Sequence, residues 1–101
     1  MKPVVLTLAR DDLKEIHNRL IEFGISPPKK FRESFTKFCT NVALMPLMYP
    51  QYDIIPSYRK AIIEYDYIVF YKVVNIKSKT RVEVYRVLHG KRDIVPLLER
   101  G

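Results

Sequence analysis

The stretch from Arg59 to Asp93 does most to limit what this chain can fold into. It holds three apolar runs rich in β-branched and aromatic residues: Ala61-Ile62-Ile63, Tyr67 to Val74, and Val82 to Leu88. Glu64-Tyr65-Asp66 parts the first two, and Asn75-Ile76-Lys77-Ser78-Lys79 parts the last two. Branched and aromatic side chains fit a pleated, half-buried surface, and short polar breaks supply the turns, so the pattern predicts three strands joined by hairpins. Alternation along the third strand places Val82, Val84 and Leu88 on one face with Arg86 as the exception, and Glu83, Tyr85 and Val87 on the other. A base on an apolar face, followed by His89-Gly90-Lys91-Arg92 where the strand ends, predicts a polar site at the rim of the sheet.

The first half of the chain has a different period. Val4 to Leu8 is a short apolar run, most simply a first strand. Asp11 and Asp12 suit the first turn of a helix, where free N–H groups and the helix dipole favour acceptors. Leu13, Ile16, Leu20 and Phe23 then recur at helical spacing, with Lys14, Glu15, Asn18, Arg19 and Glu22 opposite. Gly24 is the expected stop, because glycine takes a positive φ without steric cost. Ser26-Pro27-Pro28 opens a second helix, whose stripe runs Phe31, Phe35, Phe38, Val42 and Met45, and Pro46 closes it. Two helices joined by so short a connection form an antiparallel hairpin laid across the sheet, with the phenylalanines in the core. Pro46 to Ser57 reads as an ordered loop, and the apolar tail Ile94 to Leu98 packs as a final turn or reaches a partner. The expected fold is α+β: a strand, a helix hairpin, then a three-stranded antiparallel meander, as one domain over residues 1–101.

A net charge of +7 on 101 residues calls for an acidic partner, nucleic acid, or both. A lone cysteine, Cys39, excludes an internal disulfide and a cysteine-built metal site. Val4-Val5-Leu6 is too short for the apolar part of a signal peptide, and no run approaches a membrane span, so a cytoplasmic protein is expected. No glycine-rich phosphate loop and no metal-ligand spacing is present, so neither cofactor nor metal is expected. Arg59 and Lys60 open one strand, whereas Arg86, His89, Lys91 and Arg92 gather at the end of another. A meander puts these sets at opposite ends unless a strand bends or the tail folds back. The cluster is then either a functional surface or a charged edge that blocks aggregation.

A basic residue eight positions before Tyr-x-Val-Phe-Tyr, then a strand ending Arg-Val-Leu-His-Gly-Lys-Arg-Asp, resembles the RelE/ParE superfamily of toxins from type II toxin–antitoxin modules. The matching positions are Arg59, Tyr67, Val69, Phe70, Tyr71, and Arg86 through Asp93; Ala9-x-x-Asp12-Leu13-x-x-Ile16 resembles the entry to the family's first helix. The resemblance implies a β-α-α-β-β-β fold, toxicity, and neutralisation by a cognate acidic antitoxin in a toxin–antitoxin hetero-oligomer. It also implies target- or partner-binding roles for Arg59, Lys60, Tyr67, Arg86, His89, Lys91 and Arg92.

Two branches of the superfamily leave different marks. RelE-like members cut ribosome-bound mRNA with basic residues on the phosphate and a tyrosine or histidine moving the proton. Of that pattern Arg59 and Gly90-Lys91-Arg92 are present, whereas Ala61, Ile68 and Leu98 stand where a lysine, an arginine and a tyrosine would be. A ribonuclease built on this chain would use Arg59, His89 and Arg92. ParE-like members instead poison DNA gyrase and share the long helix hairpin and the Leu-His-Gly-Lys-Arg-Asp ending. The resemblance is closer to that branch, with an mRNA endoribonuclease and an inactive antitoxin-binding homologue as the other readings.

Overall fold

A computed structural model describes residues 2–100. The elements in chain order are β1 (Val4–Val5), α1 (Thr7–Leu20), α2 (Ser26–Leu44), β2 (Arg59–Ile62), β3 (Tyr67–Ile76), β4 (Lys79–His89) and α3 (Ile94–Glu99). Single 3-10 turns occupy Ile21–Phe23 and Glu64–Asp66. The sheet order is β1-β4-β3-β2, with β2, β3 and β4 an antiparallel meander and β1 lying parallel beside β4. The α+β fold is the expected one, and its sheet is mixed because β1 adds to the free edge of β4.

The first strand is shorter than the apolar run suggested. Only Val4 and Val5 pair, opposite Glu83 and Val84, and α1 already starts at Thr7, with the Arg10 N–H on the Leu6 carbonyl at 3.0 Å. Asp11 and Asp12 therefore do not cap the helix. The winding places Ala9, Asp12, Ile16 and Leu20 on its buried face, so Asp12 sits in a stripe that is otherwise apolar. Gly24 takes φ 114°, as the stop between the two helices requires. In α2, Phe31, Phe38 and Val42 are buried, Phe35 is half-buried, and Met45 is exposed. Met45, just before Pro46, leaves the helix at φ −138° because a proline excludes helical geometry from the residue before it.

The register of β4 differs from simple alternation. Phe70 pairs with Arg86 but Tyr71 with Val84, so Tyr85 is an extra residue, a β-bulge. The bulge reverses the parity of everything after it: Val82, Val84 and Val87 all face the helix pair, and Leu88 faces away with Phe70 and Ile68. Nor is the sheet covered on one side only, as a pair of layers would be. Phe31, Phe38, Tyr67, Val69 and Tyr71 fill the side under α1 and α2, with Phe38 edge-on to Tyr71 at 5.4 Å and Phe31 edge-on to Tyr67 at 5.4 Å. On the far side Tyr52, Tyr58, Phe70, Leu88 and Leu98 form a second core beneath α3 and the preceding loop. Each such side chain taken fully out of water contributes on the order of 1.5–3 kcal/mol, so both layers matter. The loop is tied down by Tyr71 Oη–H to the Pro46 carbonyl (2.9 Å) and by backbone bonds from Tyr52 to Tyr58 and Lys60 to Pro50.

Candidate functional site

Among the described residues no strand follows β4 along its outer edge beyond Val5, and α1 covers it instead. Asp12 serves that edge. Its carboxylate accepts from Arg86 Nε (2.8 Å), Arg86 Nη2 (2.9 Å) and the Val87 N–H (2.9 Å), replacing the ladder bond a strand would have made. Both side chains are about 10% exposed. The hydrogen bond to Asp12 is the main cause that holds the Arg86 pKa above its ordinary value, against burial, which pulls the other way. Arg86 Nη1 also donates to the Leu97 carbonyl at 3.0 Å and Tyr58 Oη–H to that of Leu98 at 3.4 Å, so the same arginine helps to seat α3.

One turn further on, β4 ends at His89. Its ring stands edge-on to Tyr67 at 5.1 Å, and its Nδ1 accepts the Lys91 N–H at 3.2 Å, which leaves Nε2 to carry the proton of the neutral ring. The Gly90 N–H bonds to the Asp66 carbonyl at 2.9 Å and the Arg92 N–H to that of His89 at 2.9 Å. These bonds fold Gly90 to Arg92 into a turn that presents Lys91 and Arg92 to solvent. A Cβ on Gly90 would sit 3.4 Å from the Asp66 carbonyl oxygen, at the near limit of ordinary van der Waals contact. His89 lies between two hollows. Glu15, Arg19 and Arg92 line one, and Arg19, Phe23, Tyr65 and Tyr67 line the other.

The rim therefore brings His89, Lys91 and Arg92 together with the buried Tyr67 beneath them. It does not bring Arg59. That residue pairs with Tyr71, whereas His89 pairs with Tyr67, four residues along β3 or about 13 Å away. The Arg59 guanidinium braces the loop instead, donating to the carbonyls of Leu47 (3.3 Å) and Tyr49 (2.7 Å). Lys60 lies 5.8 Å from the centroid of the Tyr52 ring, and Arg86 is committed to Asp12. Arg19 and Tyr65 complete the rim and were not among the sequence candidates, since Arg19 reads as an ordinary solvent-facing helix residue. Asp12 left a trace in the sequence: an acid on an apolar helix stripe, matched by a base on an apolar strand.

A separate open groove of about 560 Å³ runs between α1 and α2, floored by Leu13, Phe31 and Phe35 and edged by His17 and Arg32. Among the described residues no group of three or more His, Cys, Asp or Glu side chains is placed to hold a metal ion. Among the described residues no helix is long and apolar enough to cross a membrane.

No curated protein matches the chain closely enough to count as a relative. A YoeB/ParE toxin from Agrobacterium tumefaciens has a similar fold, with a TM-score of 0.64 at 18% identity over 88% of this chain and 98% of that one. The family model for the ParE toxin of the type II toxin–antitoxin system parDE matches residues 4–94, which take in α1, α2, the whole sheet and the basic rim. The chain thus belongs to the ParE toxin family of type II toxin–antitoxin systems.

Proposed function

We propose that this toxin arrests growth by inhibiting DNA gyrase, through the rim formed by His89, Lys91 and Arg92, and does not cut mRNA. The observation that carries this reading is the separation of Arg59 from that rim. A phosphoryl-transfer site needs its cationic groups within hydrogen-bond reach of one phosphate, and here the first of them lies on β2, four residues along β3 from the level of His89, and braces a loop. Ala61 and Leu98, at positions where a ribonuclease would need a lysine and a tyrosine, are 1% and 2% exposed and belong to the two cores. A surface that binds a protein target needs no such convergence, only charge and shape at a solvent-facing edge.

Family membership implies a cognate antitoxin. In this reading its acidic C-terminal segment is disordered alone and folds as a helix into the α1–α2 groove, steered by the +7 charge and held by apolar burial. The two activities separate in parallel assays of purified protein. Supercoiling of relaxed plasmid by gyrase should be inhibited, and Lys91→Glu with Arg92→Glu should relieve the inhibition while leaving the fold intact. Codon-dependent cleavage of ribosome-bound mRNA, lost on His89→Ala or Arg92→Ala while supercoiling is untouched, would overturn the proposal.

A further inference from the structure

The long hairpin of β3 and β4 outruns the rest of the sheet. β2 pairs only as far as Tyr71, and β1 pairs only with Glu83 and Val84, so the hairpin beyond them is a two-stranded ribbon with no flanking strand. Its end, residues 75–81, is exposed throughout. No carboxylate occurs in the sequence between Asp66 and Glu83, whereas Lys72, Lys77, Lys79 and Arg81 do. Arg81 shares its charge with Glu83. Among the described residues, Lys77, Lys79 and the adjacent Lys2 have no carboxylate at ion-pair distance. The ribbon end lies ten strand residues from His89, about 30 Å, so it is a second basic surface, apart from the rim.

We propose that this ribbon end is a binding site for the phosphate backbone of duplex DNA. Lys79 and Arg81 are two residues apart on one strand face, a rise of about 6.7 Å, close to the axial rise of two nucleotides along one DNA strand, and Arg81 would meet a phosphate by exchanging it for Glu83. Ser78 puts a hydroxyl donor beside them, whereas the Thr80 hydroxyl already donates to Asn75 Oδ1 at 3.0 Å. A two-stranded ribbon has the width that the major groove of B-DNA admits, and A-form RNA, with its deep, narrow major groove, does not admit it. An acidic peptide fits less well, because the apolar surface here is confined to Ile76 and Val4 and the groove that could bury a helix lies elsewhere. The site does not depend on which target the rim touches.

The test is fluorescence anisotropy of a short mixed-sequence DNA duplex with purified toxin from about 50 mM to 200 mM salt. Three phosphate contacts give a slope of log affinity against log salt near −2.7. Lys77→Gln with Lys79→Gln, both exposed, should make that slope shallower by about 1.8 and weaken binding about 60-fold at ~0.1 M salt. Lys29→Gln with Lys30→Gln removes the same charge from the start of α2 and should leave DNA affinity within about twofold of the parent, since only the long-range field changes. Equal losses in the two double variants would show that net charge, and not the ribbon, binds DNA, and would overturn the site. Tighter binding to an RNA duplex of the same sequence would also overturn it. So would a ribbon variant that keeps its DNA affinity but associates more slowly with an acidic antitoxin segment.

Discussion

Replacing Asp12 by alanine tests the buried ion pair that joins α1 to the end of β4. The substitution removes the acceptor for two guanidinium N–H groups and one backbone N–H. Arg86 would keep only its bond to the Leu97 carbonyl, with about 10% of its side chain in solvent. Deleting one partner of a buried pair costs about 3–5 kcal/mol, because the remaining charge has neither water nor a counterion. A domain of this size has a total stability of about 5–15 kcal/mol, so the loss is a large share, and Tm should fall by roughly 15–30 °C. Arg86→Met should cost about as much, for the mirror reason. The combination Asp12→Leu with Arg86→Met leaves no stranded charge, only the Val87 N–H without its acceptor, a cost of about 1–3 kcal/mol. The double variant should thus be more stable than either single one, and raising the salt should change the Asp12→Ala deficit little, since buried charges are poorly screened. Urea unfolding of the four proteins by circular dichroism measures all of this. A deficit below about 1 kcal/mol for Asp12→Ala, or a double variant whose loss equals the two single losses added together, would refute the account.

Three further outcomes follow from the geometry. Lys77 and Ser78 both have positive φ (50° and 67°) in the two-residue turn between β3 and β4, which suits Asn-Gly, so Lys77→Asn with Ser78→Gly should raise stability by about 1 kcal/mol in urea unfolding. Leu98, 2% exposed in the second core, should cost about 2–5 kcal/mol when cut to alanine, and amide exchange in α3 should quicken; an unchanged midpoint would show that α3 is not docked. Burial raises the pKa of Tyr58, Tyr71 and Tyr85 above the ordinary tyrosine value of about 10. Their contribution is complete below that pH and is lost as pH rises through the folded-state values, so unfolding should set in above about pH 10, followed by the phenolate absorbance.

Periodicity determined the order and kind of nearly every element, because strand and helix side chains repeat at different intervals whatever they later touch. Phe31, Phe35, Phe38 and Val42 could only be one helix face, and Tyr67 to Val74 could only be a strand buried on both sides or one. Arg59, the Tyr67 to Tyr71 strand and the motif from Arg86 to Asp93 carried the resemblance to the RelE/ParE superfamily, and the family match over residues 4–94 agrees with it. The tertiary structure decided matters that depend on pairing between distant residues. The bulge at Tyr85 exists only in the register of β4 against β3, and it alone puts Val87 under the helices. Asp12 became a partner for Arg86 because β1 stops at Val5 and leaves an edge to be satisfied 74 residues away in sequence. Arg59 and the rim of His89 to Arg92 lie apart, as a meander by itself implies, and the β2–β3 and β3–β4 registers set the distance between their levels in the sheet. Charge and local pattern are properties of the chain, whereas convergence of side chains is a property of register, and register is settled only when the whole sheet packs.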